Sequence, residues 1–165
     1  SKIGFASPGS EMSVEYIEKN AAMFEKMGFK YMRTGFRIRS HRILRIIARK
    51  FARVSHSVAA FQFAYNDTLQ DTVNGLSIVS IPVLHDTTFL QVKSVVDQAI
   101  KQKKWVVLMF HSIEHKNETY YSDTWTWDYD CFERLLKYMR KKNDNQEVEI
   151  CTTCDAYNKL KKEEF

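Results

Sequence analysis

The sequence predicts an α/β domain built on parallel strands. Short apolar, strand-like runs alternate with amphipathic helical stretches along the whole chain, which is the pattern of successive β–α–β units. The run Trp105-Val106-Val107-Leu108-Met109-Phe110 holds six apolar residues with no period-2 alternation, as expected of a strand covered on both faces. Size agrees with one domain: 165 residues, 44% of them hydrophobic and 27% charged, suffice to close a core and exclude a disordered polyelectrolyte.

The elements follow in order. Lys2-Ile3-Gly4-Phe5-Ala6 is a first strand, stopped by the turn Ser7-Pro8-Gly9-Ser10. Ser13 is placed to cap a helix on which Val14, Ile17, Ala21, Phe24 and Met27 recur every three or four residues, and Gly28 ends it. Phe29-Lys30-Tyr31-Met32-Arg33 returns as a strand, broken at Gly35, so the N-terminal part forms a β–turn–α–β unit. Ile43, Leu44, Ile46, Ile47, Phe51 and Val54 make a second helical stripe with Arg42, Arg45, Arg49 and Arg53 around it. Residues 61–64 read as a brief strand. Asn74-Gly75 marks a turn before a strand over 76–83 that finishes at Pro82. Thr87 or Thr88 caps a helix carrying Leu90, Val92, Val95, Val96, Ala99 and Ile100, which feeds the strand 105–110. A polar, aromatic loop from His115 to Asp128 precedes a helix from Tyr129 to Lys142. A last strand spans 148–152, and Asp155 caps a short terminal helix.

No run approaches 18 apolar residues, so no membrane span is expected, and no leader is recognisable. The three cysteines, Cys131, Cys151 and Cys154, do not form a disulfide scaffold; cytoplasmic and envelope-associated locations are both compatible with them. Net charge is +5, concentrated in a block with no Asp or Glu: Arg33, Arg37, Arg39, Arg42, Arg45, Arg49, Lys50 and Arg53. Nucleic acid, acidic glycans and a membrane surface all fit such a block. Nucleic acid ranks last, because no base-stacking aromatic motif accompanies the arginines.

His111, following Phe110 at the strand's end, is the leading catalytic candidate. Imidazole exchanges protons near neutral pH, and the C-terminal rim of a parallel sheet is where such chemistry is placed. His115 shares no fixed geometry with it, and a zinc site needs a third protein ligand that no spacing supplies. Trp125, Trp127, Asp128, Tyr129 and Asp130 form an aromatic–acidic cluster suited either to sugars or to helix capping and lid packing. His85-Asp86 is placed to face the same rim. Cys151-Thr152-Thr153-Cys154 has redox spacing but lies after the final strand and between acidic neighbours, so ordinary strand-end residues are the stronger reading.

Several stretches, taken in order, resemble the polysaccharide deacetylase family. They are Phe5-Ala6-Ser7-Pro8-Gly9, Gly28-Phe29-Lys30-Tyr31-Met32-Arg33-Thr34-Gly35, Val106-Val107-Leu108-Met109-Phe110-His111-Ser112-Ile113, Phe132-Glu133-Arg134-Leu135-Leu136 and Glu149-Ile150-Cys151-Thr152-Thr153-Cys154-Asp155-Ala156. The resemblance implies a distorted (β/α) barrel of parallel strands that removes acetyl groups from N-acetylated sugars of a polysaccharide or peptidoglycan with a divalent metal such as zinc. It implies a glycan partner, with His111 as the general acid, Leu108 and Met109 beside an acetyl-methyl pocket and Pro8 in the family's Arg–Pro turn; the aromatic–acidic cluster would add Trp125 and Trp127 as a glycan rim. The family's Thr-Phe-Asp-Asp-Gly and His-x-x-x-His motifs are absent, and Ala6 stands where the family has Arg. The expectation is therefore one deacetylase-like domain over 1–165, an incomplete barrel lacking the first strands, that either works with a missing half or is a non-catalytic glycan-binding module. Open barrel edges further imply self-association or docking with that half.

Overall fold

Runs of strands and runs of helices, often two or three of a kind together, follow one another in a computed structural model that describes residues 3–6, 13–35, 40–71 and 75–162. The turn at Pro8 lies outside the described residues. Strand β1 (Ile3–Ala6) leads to helices α1 (Val14–Lys19) and α2 (Ala21–Lys26), then β2 (Phe29–Thr34). Next come α3 (Arg42–Ser55), α4 (Val58–Tyr65) and a 3-10 turn at 66–68, then β3 (Ser77–Val79), β4 (Ile81–Pro82) and α5 (Phe89–Gln102). β5 (Leu108–Met109), β6 (Ser112–Glu114), β7 (Thr126–Asp128), α6 (Tyr129–Asp144) and α7 (Thr153–Lys162) complete the described chain.

The capping chemistry sets most helix starts. The Ser13 hydroxyl accepts from the Tyr16 N–H at 3.1 Å, and Ser57 accepts from Ala60 at 3.2 Å. Thr88 and Gln91 form a full capping box on α5. Where one helix was expected over 14–27 there are two. Asn20 breaks it, its side-chain amide donating to the Tyr16 carbonyl at 2.8 Å and competing with the helical ladder. Gly28, at φ 91°, then turns the chain where a side chain would be strained. Residues 61–64 belong to α4 and not to a strand: the Ser57 cap starts a helix whose Phe61, Ala64 and Tyr65 enter the core.

The sheet is parallel but not closed. Three separate sheets form, with strand orders β1-β2-β3, β4-β5 and β6-β7, every pair parallel. The distorted (β/α) barrel implied by the resemblance is thus overturned. Packing explains why. Along β2, Met32 joins Ile17, Phe24 and Leu76 under α1 and α2, whereas Tyr31 turns the other way with Ile78 to meet Tyr157 and Leu160 of α7. Val106 and Leu108 likewise face the α3–α5 cluster, while Trp105 and Val107 face α7. A closed barrel fills its interior with strand side chains; here a helix occupies that face.

The strand 105–110 is shorter than expected and half-buried throughout. No strand forms over 148–152. The Ile150 amide donates to the Asn143 side chain at 3.2 Å, Lys159 pairs with Glu149, and the segment lines an apolar cavity of about 630 Å³ with Trp105, Val107 and Leu136. Thr152, not Asp155, receives the amide that opens α7: its hydroxyl accepts from the Asp155 N–H at 3.2 Å.

Candidate functional site

The chain 108–114 changes partners at Phe110 and His111. β5 is laddered to β4, with Ile81↔Leu108 and Pro82↔Met109 in register, whereas β6 is laddered to β7, with Ser112↔Thr126. His111 therefore stands in a break between two strands and does not end one. No ladder bond holds its backbone there, and the ring is exposed. It lies against Trp125 with ring centroids 4.5 Å apart and planes tilted by 58°. Trp125 is itself 48% exposed, and Tyr120 and Tyr129 add exposed aromatic surface nearby in the chain. The Ser112 amide donates to the Trp125 carbonyl at 3.3 Å and ties the start of β6 to this aromatic turn.

A second group of side chains meets in a cavity of about 440 Å³ whose lining includes His85, Asp86, Tyr121, Asp128, Cys131 and Arg134. Loops after β4 and before β7 build it, held together by the His85 N–H donating to the Thr124 carbonyl at 3.0 Å. His85 meets the Tyr121 ring edge-on at 5.1 Å, and the Tyr121 hydroxyl donates to Asp128 Oδ2 at 2.9 Å. Asp128 Oδ1 accepts from the Cys131 amide at 2.9 Å, so this carboxylate caps α6 as well as lining the cavity. His111 and Trp125 are not in the cavity lining; they form the exposed surface on the other part of the same 111–128 segment.

Electrostatics follow from these contacts. Burial pushes the Tyr121 hydroxyl up to about 12, and donation to Asp128 adds to the rise. Burial alone would raise Asp128, but the hydrogen bonds from the Cys131 amide and Tyr121 outweigh it and hold the carboxyl below its ordinary value. A depressed carboxylate stabilises the fold above its unfolded value, and that contribution is lost as pH falls through the folded value. Asp128→Ala is expected to cost about 1 kcal/mol at neutral pH through the lost cap. Asp128→Asn keeps a capping oxygen and is expected to flatten the acid limb of the stability curve. Urea unfolding across the carboxyl range checks both.

The remaining expected site residues fall as follows. Leu108 and Met109 are half-buried in β5; Leu108 packs into the core, and the Ser80 hydroxyl approaches the Met109 sulfur at 3.9 Å. Trp127 is 0% exposed in the core, its indole N–H donating to the Thr87 carbonyl at 2.6 Å, and is withheld from any ligand. Asp128 is the helix cap, and Cys131 is half-buried with its thiol pushed up by burial and by Asp128. Cys151 and Cys154 are both free thiols, and burial with Glu149 raises Cys151, opposite to what a redox thiolate needs. Tyr121 was not singled out from sequence; an aromatic pair in a polar loop carries no periodic signal.

No group of three or more His, Cys, Asp or Glu side chains is placed to hold a metal ion among the described residues. No family model, curated protein or solved structure matches the chain.

Proposed function

We propose that this chain supplies the general-acid and sugar-contacting side of a site that hydrolyses the N-acetyl group of polysaccharide or peptidoglycan sugars. The observation that carries the reading is the pair His111 and Trp125, both exposed, in ring contact at 4.5 Å where the strand changes partners. An amine is a poor leaving group unless protonated as the C–N bond breaks, and a solvent-facing imidazole suits that donation. The Trp125 face offers the apolar platform on which a pyranose ring stacks. On the other part of the same segment, the cavity lined by Asp128, Tyr121, His85 and Arg134 has the size of a small-ligand site. Attack on the carbonyl requires a base and, by the resemblance, a divalent ion; neither is assigned to the described residues.

The test is an acetate-release assay on the intact protein with an N-acetylglucosamine oligomer. His111→Ala is expected to lower kcat by ~10²–10⁴ with little change in KM, the usual span for losing a general acid. An unchanged kcat sinks the assignment. A second reading, a glycan-binding module without catalysis, is favoured by the exposed aromatic surface of Trp125, Tyr120 and Tyr129. It predicts binding of the same oligomer, weakened by Trp125→Ala, with no acetate released.

A further inference from the structure

Helix α3 is docked inside out. Ile43, Ile47, Phe51 and Val54, spaced by four, four and three residues, share one face with Leu44 beside them, and all five are exposed, Val54 by 86% and Ile43 by 74%. The face turned inward carries Ala52 and Arg45 instead. Arg45 pairs with Asp67 at 2.9 Å, and Arg53 with Asp86 at 2.6 Å. Arg42 and Lys50 remain exposed beside the stripe and make no ion pair among the described residues, with Lys50 three residues after Ile47 and four before Val54. No Asp or Glu occurs between Glu25 and Asp67.

We propose that α3 lies flat in the headgroup region of an anionic membrane, its aliphatic stripe in the acyl boundary and its cations on lipid phosphates. The inference is independent of the glycan reading. A phosphate backbone or an acidic glycan would satisfy the cations and leave five large apolar side chains in water. A second copy of α3 would cover the stripe but set Arg42 and Lys50 of both copies edge to edge. An anionic lipid surface accommodates both features, and a helix with an apolar face and a basic flank is the form that binds there. At 14 residues α3 is about 21 Å long, too short to cross a bilayer, and no helix among the described residues is long and apolar enough to do so.

The test is co-sedimentation of the full chain with vesicles of phosphatidylcholine mixed with phosphatidylserine, against phosphatidylcholine alone, with the oligomeric state measured by light scattering. Binding to the anionic vesicles only is expected, weakening with salt. Ile47→Asp should reduce partitioning about tenfold or more, and Lys50→Ala about fivefold. Both positions are exposed, so an unchanged thermal transition shows that each variant folds. Anionic-vesicle binding that Ile47→Asp leaves intact overturns the proposal. So does a dimer that Ile47→Asp converts to monomer in a chain that ignores vesicles, which assigns the stripe to a protein partner.

Discussion

Trp127→Ala is expected to lower stability by about 3–5 kcal/mol, the range for deleting a large aromatic from a packed core. The indole is fully buried, packs with Phe110 at 5.5 Å and Phe132 at 6.4 Å between ring centroids, and bonds the Thr87 carbonyl. Removing it leaves a cavity among Val83, Val92 and Leu135 and an unpaired carbonyl beside the α5 cap. Trp125→Ala, two residues earlier and half-exposed, is expected to change stability by less than about 1 kcal/mol. Urea denaturation of the two variants side by side makes the contrast direct. Equal losses would mean that Trp125 is also a core residue and would remove the sugar platform.

Asp67→Ala is expected to cost about 3–5 kcal/mol, because it strands a buried cation. Arg45 is 6% exposed, and its guanidinium donates to the Ser40 and Phe63 carbonyls, stacks over the Phe63 ring at 4.7 Å and pairs with Asp67. Asp67 also accepts from the Ser40 amide and hydroxyl, so one carboxylate organises the entry into α3. The double replacement Arg45→Met with Asp67→Leu is expected to recover much of the loss, since no charge is then left buried. A chemical-denaturation cycle over the four proteins measures the coupling. Additive losses would show that the pair is not an interacting unit.

These two sites also show why some of the fold was legible and some was not. Ser13, Thr88 and Asp128 act within one turn of themselves, and their caps appear where local sequence places them. The parallel β1–α–β2 unit follows from the same local signals. The stripe of α3 obeys helical spacing, but spacing says only that a face is apolar, not that it meets the core. That decision rests on the Arg45–Asp67 pair, which anchors the opposite face. Whether the strands close into a barrel was likewise beyond local reading: strand pairing, and the packing of Tyr157 from α7 on Ile78, join residues far apart in sequence. At the site, His111 and Trp125 were both legible as chemistry-bearing residues. Their contact was not, because it arises from the partner exchange between β5 and β6. Trp127 looked equivalent to Trp125 in sequence; Trp127 lies within β7 and packs into the core, whereas Trp125 sits in the turn before that strand and stays exposed.

The proposed function requires Trp125 and His111 to form a surface that receives an N-acetylated sugar. Titrating the chain with an N-acetylglucosamine oligomer while following the indole N–H and imidazole signals by NMR tests this at the residues concerned. The Trp125 and His111 signals are expected to shift together and saturate, while the buried Trp127 indole stays in place. Shifts confined to other regions, or none at saturating sugar, would contradict it.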